Sequence, residues 1–319
     1  MHKDARIFIA DDHGLIGEAI RRRLRDDGYE NLLGESGKPS LIDGREVQAF
    51  FSRTLPEYVF AVGGKSGGIG ANQKLPADLM LNNLLVDCHV IDNAYRCGVK
   101  KLLYMGSSCC YPRACLQPMQ VSSLMTGVLE FTNEAYATAK LAGIKLTQAY
   151  RQQHGIDMIS AIPGNVFGPG DDFGVEDSHV IAALMGKMHQ AKLAQADNVE
   201  VWGSGAPRRE FVYVADVADA AIFLMNHYSS PAPINLGSGS DASIREIAEL
   251  VKDVVGYSGE LRFDPKKPDG MPLKSLDSSE LFALGWQPRI PLRLGLEKTY
   301  RWFLETWHTK AEGHERTYF

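Results

Sequence analysis

The chain lacks the marks of several protein classes. Its 319 residues include only five cysteines, Cys88, Cys97, Cys109, Cys110 and Cys115. The number is odd and no pair has Cys-x-x-Cys spacing, which argues against a disulfide framework and against a metal site, and for a reducing compartment. No apolar run is long enough to span a bilayer, and a strand-like run, Arg6-Ile7-Phe8-Ile9-Ala10, comes early with no apolar leader before it. The cytoplasm is the expected compartment. Excess charge is missing too: a formal net charge of −5 gives no reason to expect a nucleic-acid partner or a membrane surface. Internal repeats and low-complexity tracts are absent, although the polar residues after Trp307 are expected to fray.

What remains is an ordinary globular composition on a chain long enough for one large α/β domain or a core domain with a smaller lobe. Short apolar runs at 7–10, 58–62, 101–106 and 157–162 alternate with helical patterns at 14–27, 77–95 and 134–154. Repeated strand and helix predict a parallel, doubly wound α/β sheet. In the first helix Ile16, Ala19, Ile20 and Leu24 form one apolar stripe, and Gly28 is placed to end it. Beyond Pro163 the rhythm loosens, with a helix expected over 180–193 and a strand over 199–203. A helix over 217–226 and a strand over 234–237 read as a return to the first domain. Ser243-Ile244-Arg245-Glu246 is a capping box opening another helix. The expected division is a dinucleotide-binding domain of 1–163 plus about 216–237, and a smaller, discontinuous α/β substrate lobe of about 164–215 plus 238–319.

Chemistry concentrates in three places. Tyr136 and Lys140 stand one helical turn apart on the same face, where a cation is expected to lower the phenol pKa. Upstream, the apolar run 101–106 ends in Ser107-Ser108-Cys109, so a hydroxyl and a thiol sit where a buried strand opens into a loop. Gly14 and Gly17 fit the last two glycines of a phosphate-binding turn between the first strand and the first helix. Asp11 holds the first glycine's place and Asp12 follows; their carboxylates would repel a diphosphate, and His13 would offset part of that charge. After the second strand, Leu33-Gly34-Glu35-Ser36-Gly37-Lys38 offers Glu35 for a ribose diol and Lys38 as the single nearby cation, leaving the choice of nicotinamide cofactor open.

Longer strings then carry a family resemblance. They include Gly67-Gly68-Ile69 with Ala71-Asn72, Gly106-Ser107-Ser108-Cys109 with Tyr111-Pro112, Thr132-Asn133-Glu134 before Tyr136, and Lys140-Leu141-Ala142-Gly143. Others are Asn165 before Gly168-Pro169, Ser178-His179-Val180, Val201-Trp202-Gly203-Ser204-Gly205, Arg209-Glu210-Phe211 and Lys267-Pro268-Asp269-Gly270. Over nearly its whole length the chain resembles the GDP-L-fucose synthases, epimerase–reductases of the extended short-chain dehydrogenase/reductase superfamily.

The resemblance implies a Rossmann-like fold and C3/C5 epimerisation followed by nicotinamide-dependent C4 reduction of GDP-4-keto-6-deoxymannose. It makes Cys109 the base, His179 the acid, Tyr136 the proton donor in reduction, Ser107 its hydrogen-bonding partner and Lys140 the ribose ligand. Cofactor contacts are implied at Gly14, Leu15, Ile16, Gly17, Lys38, Leu41, Tyr136, Lys140, Pro163, Asn165 and Val166. Substrate contacts are implied at Ser108, Asn165, Lys187, Trp202, Arg209, Asp269 and Lys274, with Arg209 on the diphosphate. NADP(H) is the implied cofactor and a homodimer, paired through the helices over 77–95 and 134–154, the implied assembly.

Departures from the family pattern cluster at nucleotide contacts: Asp11, Asp12 and His13 in the turn, and Gly34, Lys187 and Leu273 where the family has arginine. They leave two alternatives: an NAD(H)-preferring enzyme of another 4-keto-6-deoxyhexose nucleotide, and a non-catalytic paralogue that has lost its cofactor.

Overall fold

Strands buried on both faces form the centre of the fold, as their unbroken apolar runs require. The computed structural model describes residues 1–11, 14–34, 37–174 and 178–311. From the N-terminus come β1 (Ile7–Ala10), α1 (Leu15–Asp26), β2 (Leu32–Leu33), α2 (Gly44–Thr54) and β3 (Tyr58–Ala61). A short α3 (Ile69–Lys74) and long α4 (Pro76–Arg96) lead to β4 (Lys101–Met105), and α5 (Glu134–His154) leads to β5 (Asp157–Pro163). The chain leaves through β6 (Asn165–Phe167), α6 (Val180–Leu193), β7 (Asn198–Trp202) and β8 (Arg208–Tyr213), then returns by α7 (Val214–His227) and β9 (Ile234–Leu236). Together these give a six-stranded parallel sheet in the order β2-β1-β3-β4-β5-β9.

Alternation along the strands divides the core. Ile7, Ile9 and Leu103 face α1 and α7, while Phe8, Val59, Leu102 and Tyr104 face α2, α4 and α5. Helix α1 buries Ala19, Ile20 and Leu24 of its expected stripe together with Gly17, while Ile16 is only half-buried, and Gly28 follows it at φ 79°. The α2 helix has no counterpart in the expected elements. Asp43 caps it by accepting from the Arg45 and Glu46 amides, at 2.8 and 3.3 Å, and Phe50 and Phe51 pack on Phe8 with ring centroids 4.7 and 5.5 Å away. Tertiary packing decides the helix where β-favouring aromatics weaken its local signal.

A third core lies outside the sheet, around Phe167, Met185, Val201, Phe211, Ile247 and Phe303. It gathers β10 (Asp241–Ser243), α8 (Ile244–Val255), β11 (Glu260–Asp264), β12 (Leu273–Lys274), α9 (Ser279–Ala283) and α10 (Leu292–Ala311) around β6, α6, β7 and β8. Strands β10 and β12 flank β8, β6 pairs β8, and β11 pairs β7. The capping box of α8 is present, with Ser243 and Glu246 exchanging bonds with each other's backbone. Strands β6, β10, β11 and β12, two to five residues long, lack the continuous apolar run that marks β1, β3 and β4, and they have no counterpart among the expected elements.

Buried Glu210 joins the two regions. It accepts the backbone N–H of Leu276 at 2.7 Å and of Gly239 at 2.8 Å, so β8 is tied to the segments that follow β9 and β12. No helix among the described residues is long and apolar enough to cross a membrane.

Candidate active site

The sheet order reverses between β1 and β3, and ligands of open parallel sheets bind where strand ends diverge at such a point. Here a cavity of about 570 Å³ opens over the carboxyl ends of β1, β3, β4 and β5, walled on its far side by α6, β7, β8 and residues 268–274. Gly14 caps α1, whose free N-terminal amides point into the turn. Asp11 adopts φ 66°, a left-handed conformation that aspartate tolerates better than most residues. Its carboxylate folds back on the turn: a Cβ added to Gly14 would lie 2.8 Å from Asp11 Oδ2. Past β3, Gly64 has φ 115°, and a Cβ there would fall 2.1 Å from Asn83 Oδ1. Only glycine lets the chain pass Asn83 and present bare backbone to the cavity. Among the described residues this cradle fits a dinucleotide diphosphate, with the Asp11 carboxylate as an adverse feature. Asp12, His13 and Glu35 lie outside the described residues.

Across from the turn sits the reactive cluster. At the end of β4 the Ser107 hydroxyl accepts the Cys109 amide at 3.2 Å and so opens a single helical turn, Ser108–Cys110. The thiol of Cys109 receives two hydrogen bonds, from Lys274 Nζ and Asn133 Nδ2, each at 3.2 Å. Burial alone would raise its pKa; the Lys274 charge and the bonds from Ser107 and Lys274, with His179, carry it down instead. At the mouth of α6, His179 Nδ1 meets Asp171 Oδ1 at 3.3 Å. Burial works against the imidazolium, but the Asp171 bond and charge, helped by Cys109, push its pKa up. Thiol and imidazole are thus moved in opposite directions, towards a thiolate and an imidazolium.

Tyr136 departs from expectation. Its phenol pKa is raised, first by burial and then by the Cys109 charge, with the Ser107 hydrogen bond pulling the other way. Lys140 does not offset this, because its ammonium is committed elsewhere: it lies 3.6 Å from Asp87 Oδ1 and 4.5 Å from the centre of the Tyr104 ring. Tyr104 in turn donates its hydroxyl to Asp87 Oδ2 at 2.6 Å. This pocket is closed to solvent, with Lys140 and Asp87 each 3% exposed and Tyr104 fully buried.

Of the residues the sequence nominated, Gly14, Leu15, Ile16, Gly17, Ser107, Ser108, Cys109, Tyr136, Pro163, Asn165, Val166, His179, Lys187, Trp202, Arg209, Asp269 and Lys274 all line the one cavity. Three do not. Lys140 lies beneath it as described, Leu41 packs in the core while its carbonyl meets His89 Nδ1 at 3.0 Å, and Lys38 is exposed outside the lining. Arg209 does not pair with Glu210; its guanidinium donates to the carbonyls of Arg208 at 2.8 Å and Asp269 at 3.1 Å. Both oxygens of the Asp269 carboxylate accept bonds from Ser204, at 2.8 Å each, so this residue anchors the turn after β7 as well as lining the cavity. Trp202 is 38% exposed and belongs to the wall rather than the core.

Sequence reasoning gave no role to Asn133, Asp171, Glu130 or Asp87. The first three line the cavity. Asp171 stands eight residues before His179 in sequence, where no periodicity links them, and Asp87 lies on a different helix from Lys140.

Comparison with known proteins agrees with this geometry. Residues 7–237 match the NAD dependent epimerase/dehydratase family. The chain is 51% identical over 304 residues to GDP-L-fucose synthase 1 of Arabidopsis thaliana, covering 95% of this chain and 94% of that one. It is 50% identical over 305 residues to the probable GDP-L-fucose synthase 1 of Oryza sativa subsp. japonica, covering 95% and 93%. Among solved structures, a GDP-L-fucose synthetase from Naegleria fowleri bound to NADP has a TM-score of 0.88 at 28% identity, with 97% of each chain covered. With a nucleotide turn, an acid–base cluster and relatives of this similarity along almost its full length, the chain belongs to the NAD dependent epimerase/dehydratase family, among the GDP-L-fucose synthases.

Proposed function

We propose that this enzyme converts GDP-4-keto-6-deoxymannose to GDP-L-fucose, inverting C3 and C5 and then reducing C4 in a single pocket. The observation that supports it most is the convergence of Cys109, His179, Tyr136 and Ser107 on one cavity, with thiol and imidazole moved in opposite directions. A C4 ketone acidifies the protons at C3 and C5. The Cys109 thiolate removes one: a C–H bond breaks, an S–H bond forms, and the electron pair passes to the C4 oxygen as an enolate. On the opposite face His179 gives up its N–H proton to the same carbon, forming a new C–H bond of inverted configuration. Proton exchange with water restores thiolate and imidazolium for the second centre.

When bound, the nicotinamide supplies the reducing equivalent for C4. Tyr136 donates its phenolic proton to the developing alkoxide, and its raised pKa keeps that proton available. Ser107 hydrogen-bonds the same oxygen. Gly14 to Gly17 receive the cofactor diphosphate and Pro163 to Val166 its nicotinamide side, while Lys140, held on Asp87 beneath the cavity, does not reach the ribose expected of it. Arg209, Lys187 and Trp202 receive the guanosine diphosphate, for which a guanidinium fork and an aromatic wall are suited. Buried oxygens of cavity-lining side chains, Asn133 Oδ1, Asp171 Oδ2 and Ser178 Oγ among them, have no hydrogen-bond partner among the described residues, and a sugar rich in hydroxyls would satisfy them.

NADP(H) is the proposed cofactor. The NADP-bound relative supports it, as do the cations near the adenosine end: Lys38, and Arg53, whose Nη2 donates to the Gly37 carbonyl at 3.3 Å. We further propose that the sheet domain holds cofactor and the outer lobe substrate, and that two cytoplasmic copies pair through α4 and α5. On α4, Leu81 is 59% exposed and Tyr95 37%, an apolar surface suited to burial between copies.

The test follows oxidation of NADPH and NADH in parallel with the keto sugar nucleotide, and deuterium uptake at C3 and C5 in heavy water. Oxidation of NADPH with uptake at both carbons is expected, and Cys109→Ser should abolish the uptake. NADH oxidation alone would overturn the cofactor assignment, and no uptake in the folded wild-type enzyme would overturn the substrate assignment.

A further inference from the structure

Cys109 could not serve as a base in a buried cleft without a counter-charge, since desolvation of a thiol favours its neutral form. The titratable and charged groups facing its sulfur come from five elements: Lys274 on β12, Arg209 on β8, His179 at the start of α6, Tyr136 on α5 and Cys110 on its own turn. Among them Lys274 makes a direct hydrogen bond, Nζ to Sγ at 3.2 Å, and neutral Asn133 makes the second. Arg209 acts only through its field, its guanidinium being held on two backbone carbonyls.

Lys274 is poorly placed to spare its charge for anything else. It is 9% exposed, and its strand is fixed against β8 by the pairing of Lys274 with Arg209 and of Leu273 with Arg208. Cys110, the adjacent thiol, supplies an internal contrast. Its Sγ donates to the Ala137 carbonyl at 3.6 Å, and burial pushes it up to about 12. Neighbouring cysteines on one short turn therefore differ because one faces an ammonium and the other a carbonyl.

We propose that Lys274, contributed by the outer lobe, is the positioning residue that makes Cys109 a base, holding the thiolate through a charge-assisted hydrogen bond in the enzyme before substrate arrives. This role goes beyond the substrate contact implied by family resemblance, and it rests on the reading of Cys109 as the epimerisation base. Because the ammonium and the thiol are 165 residues apart in sequence, base strength depends on the seating of β12 against the sheet domain. No new bond is made; the thiol proton leaves to water, and the ammonium remains charged.

The test measures alkylation of Cys109 by iodoacetamide against pH in the substrate-free enzyme, read by mass spectrometry of the peptide carrying Cys109. Lys274→Met should move the apparent pKa of alkylation upward by about 1–3 pH units, the range for losing a close opposite charge. Lys274→Arg, which keeps a cation, should restore most of it. Deuterium uptake at substrate C3 should slow at neutral pH in Lys274→Met and recover on the alkaline side. Tight NADPH binding, followed by fluorescence, shows that each variant is folded.

An unmoved alkylation profile with only a raised KM would overturn the proposal and leave Lys274 a substrate ligand. Failure of the wild-type enzyme to exchange C3 and C5 protons would sink the epimerase reading, while the alkylation profiles would still report on the Lys274–Cys109 pair.

Discussion

Asp171→Asn tests the acid role proposed for His179. The carboxylate lies 3.3 Å from Nδ1. A unit charge pair at that distance is worth about 5 kcal/mol at an effective dielectric of about 20. The imidazole is 40% exposed to the cleft, so water screens much of this, and about 1–2 kcal/mol is the realistic remainder, or about one pKa unit. The sign follows from the proposed reaction, in which the proton donor is the imidazolium, whose population falls as pH rises through its pKa. Asparagine lowers that pKa, so the alkaline limb of deuterium uptake at C3 and C5 should move about one pH unit lower. On that limb the rate at fixed pH should drop roughly tenfold. Since the Cys109 thiolate is also stabilised by His179, the acidic limb should move slightly the other way, and the bell should narrow. An alkaline limb that stays in place, in a variant that still binds NADPH, would refute the assignment of Asp171 as the residue that keeps His179 charged.

Two other substitutions probe the supports of the site. Asp87→Asn removes the partner of a buried ammonium, and breaking one side of such a pair costs about 3–5 kcal/mol; the urea midpoint should fall markedly, whereas an unchanged midpoint would mean that Lys140 is satisfied without Asp87. Glu210→Gln sets an amide N–H₂ against the backbone donors of Leu276 or Gly239 and should destabilise by about 1–3 kcal/mol, measurable by the same denaturation and refuted if the midpoint is retained.

Much of the sheet domain was legible because its strands are continuous apolar runs and its long helices are periodic, two signals that local sequence carries without help. Helix α1, with its stripe and its glycine stop, is such a case. Helix α2 was not, because Phe50 and Phe51 give no clear helical signal until Phe8 is beside them. The nominated reactive residues converge because each lies in a family string, yet the strings do not say what those residues touch. Lys140 illustrates the gap: its spacing from Tyr136 is a helical fact, but its partner, Asp87, is on another helix, and the expected lowering of the phenol pKa gave way to burial. Asp171 and Asn133 were visible as letters, and only the fold brings them to His179 and Cys109.

The polarity of the cluster constrains the chemistry beyond the mere presence of acid and base. Inversion at a carbon next to a ketone needs a group that arrives without its proton on one face and a group that arrives with it on the other. Had Cys109 and His179 exchanged partners, the ammonium of Lys274 beside imidazole would favour neutral imidazole, and Asp171 beside the thiol would favour neutral thiol, reversing which of the two arrives without its proton. The observed pairing sets a charged partner from a different element beside each, while Tyr136, in the same cavity, stays protonated for the later step proposed for it. One pocket can then hold a base, an acid and a reserve proton donor at once, because burial, which would neutralise both the thiolate and the imidazolium, is overridden at those two and left to act on the phenol.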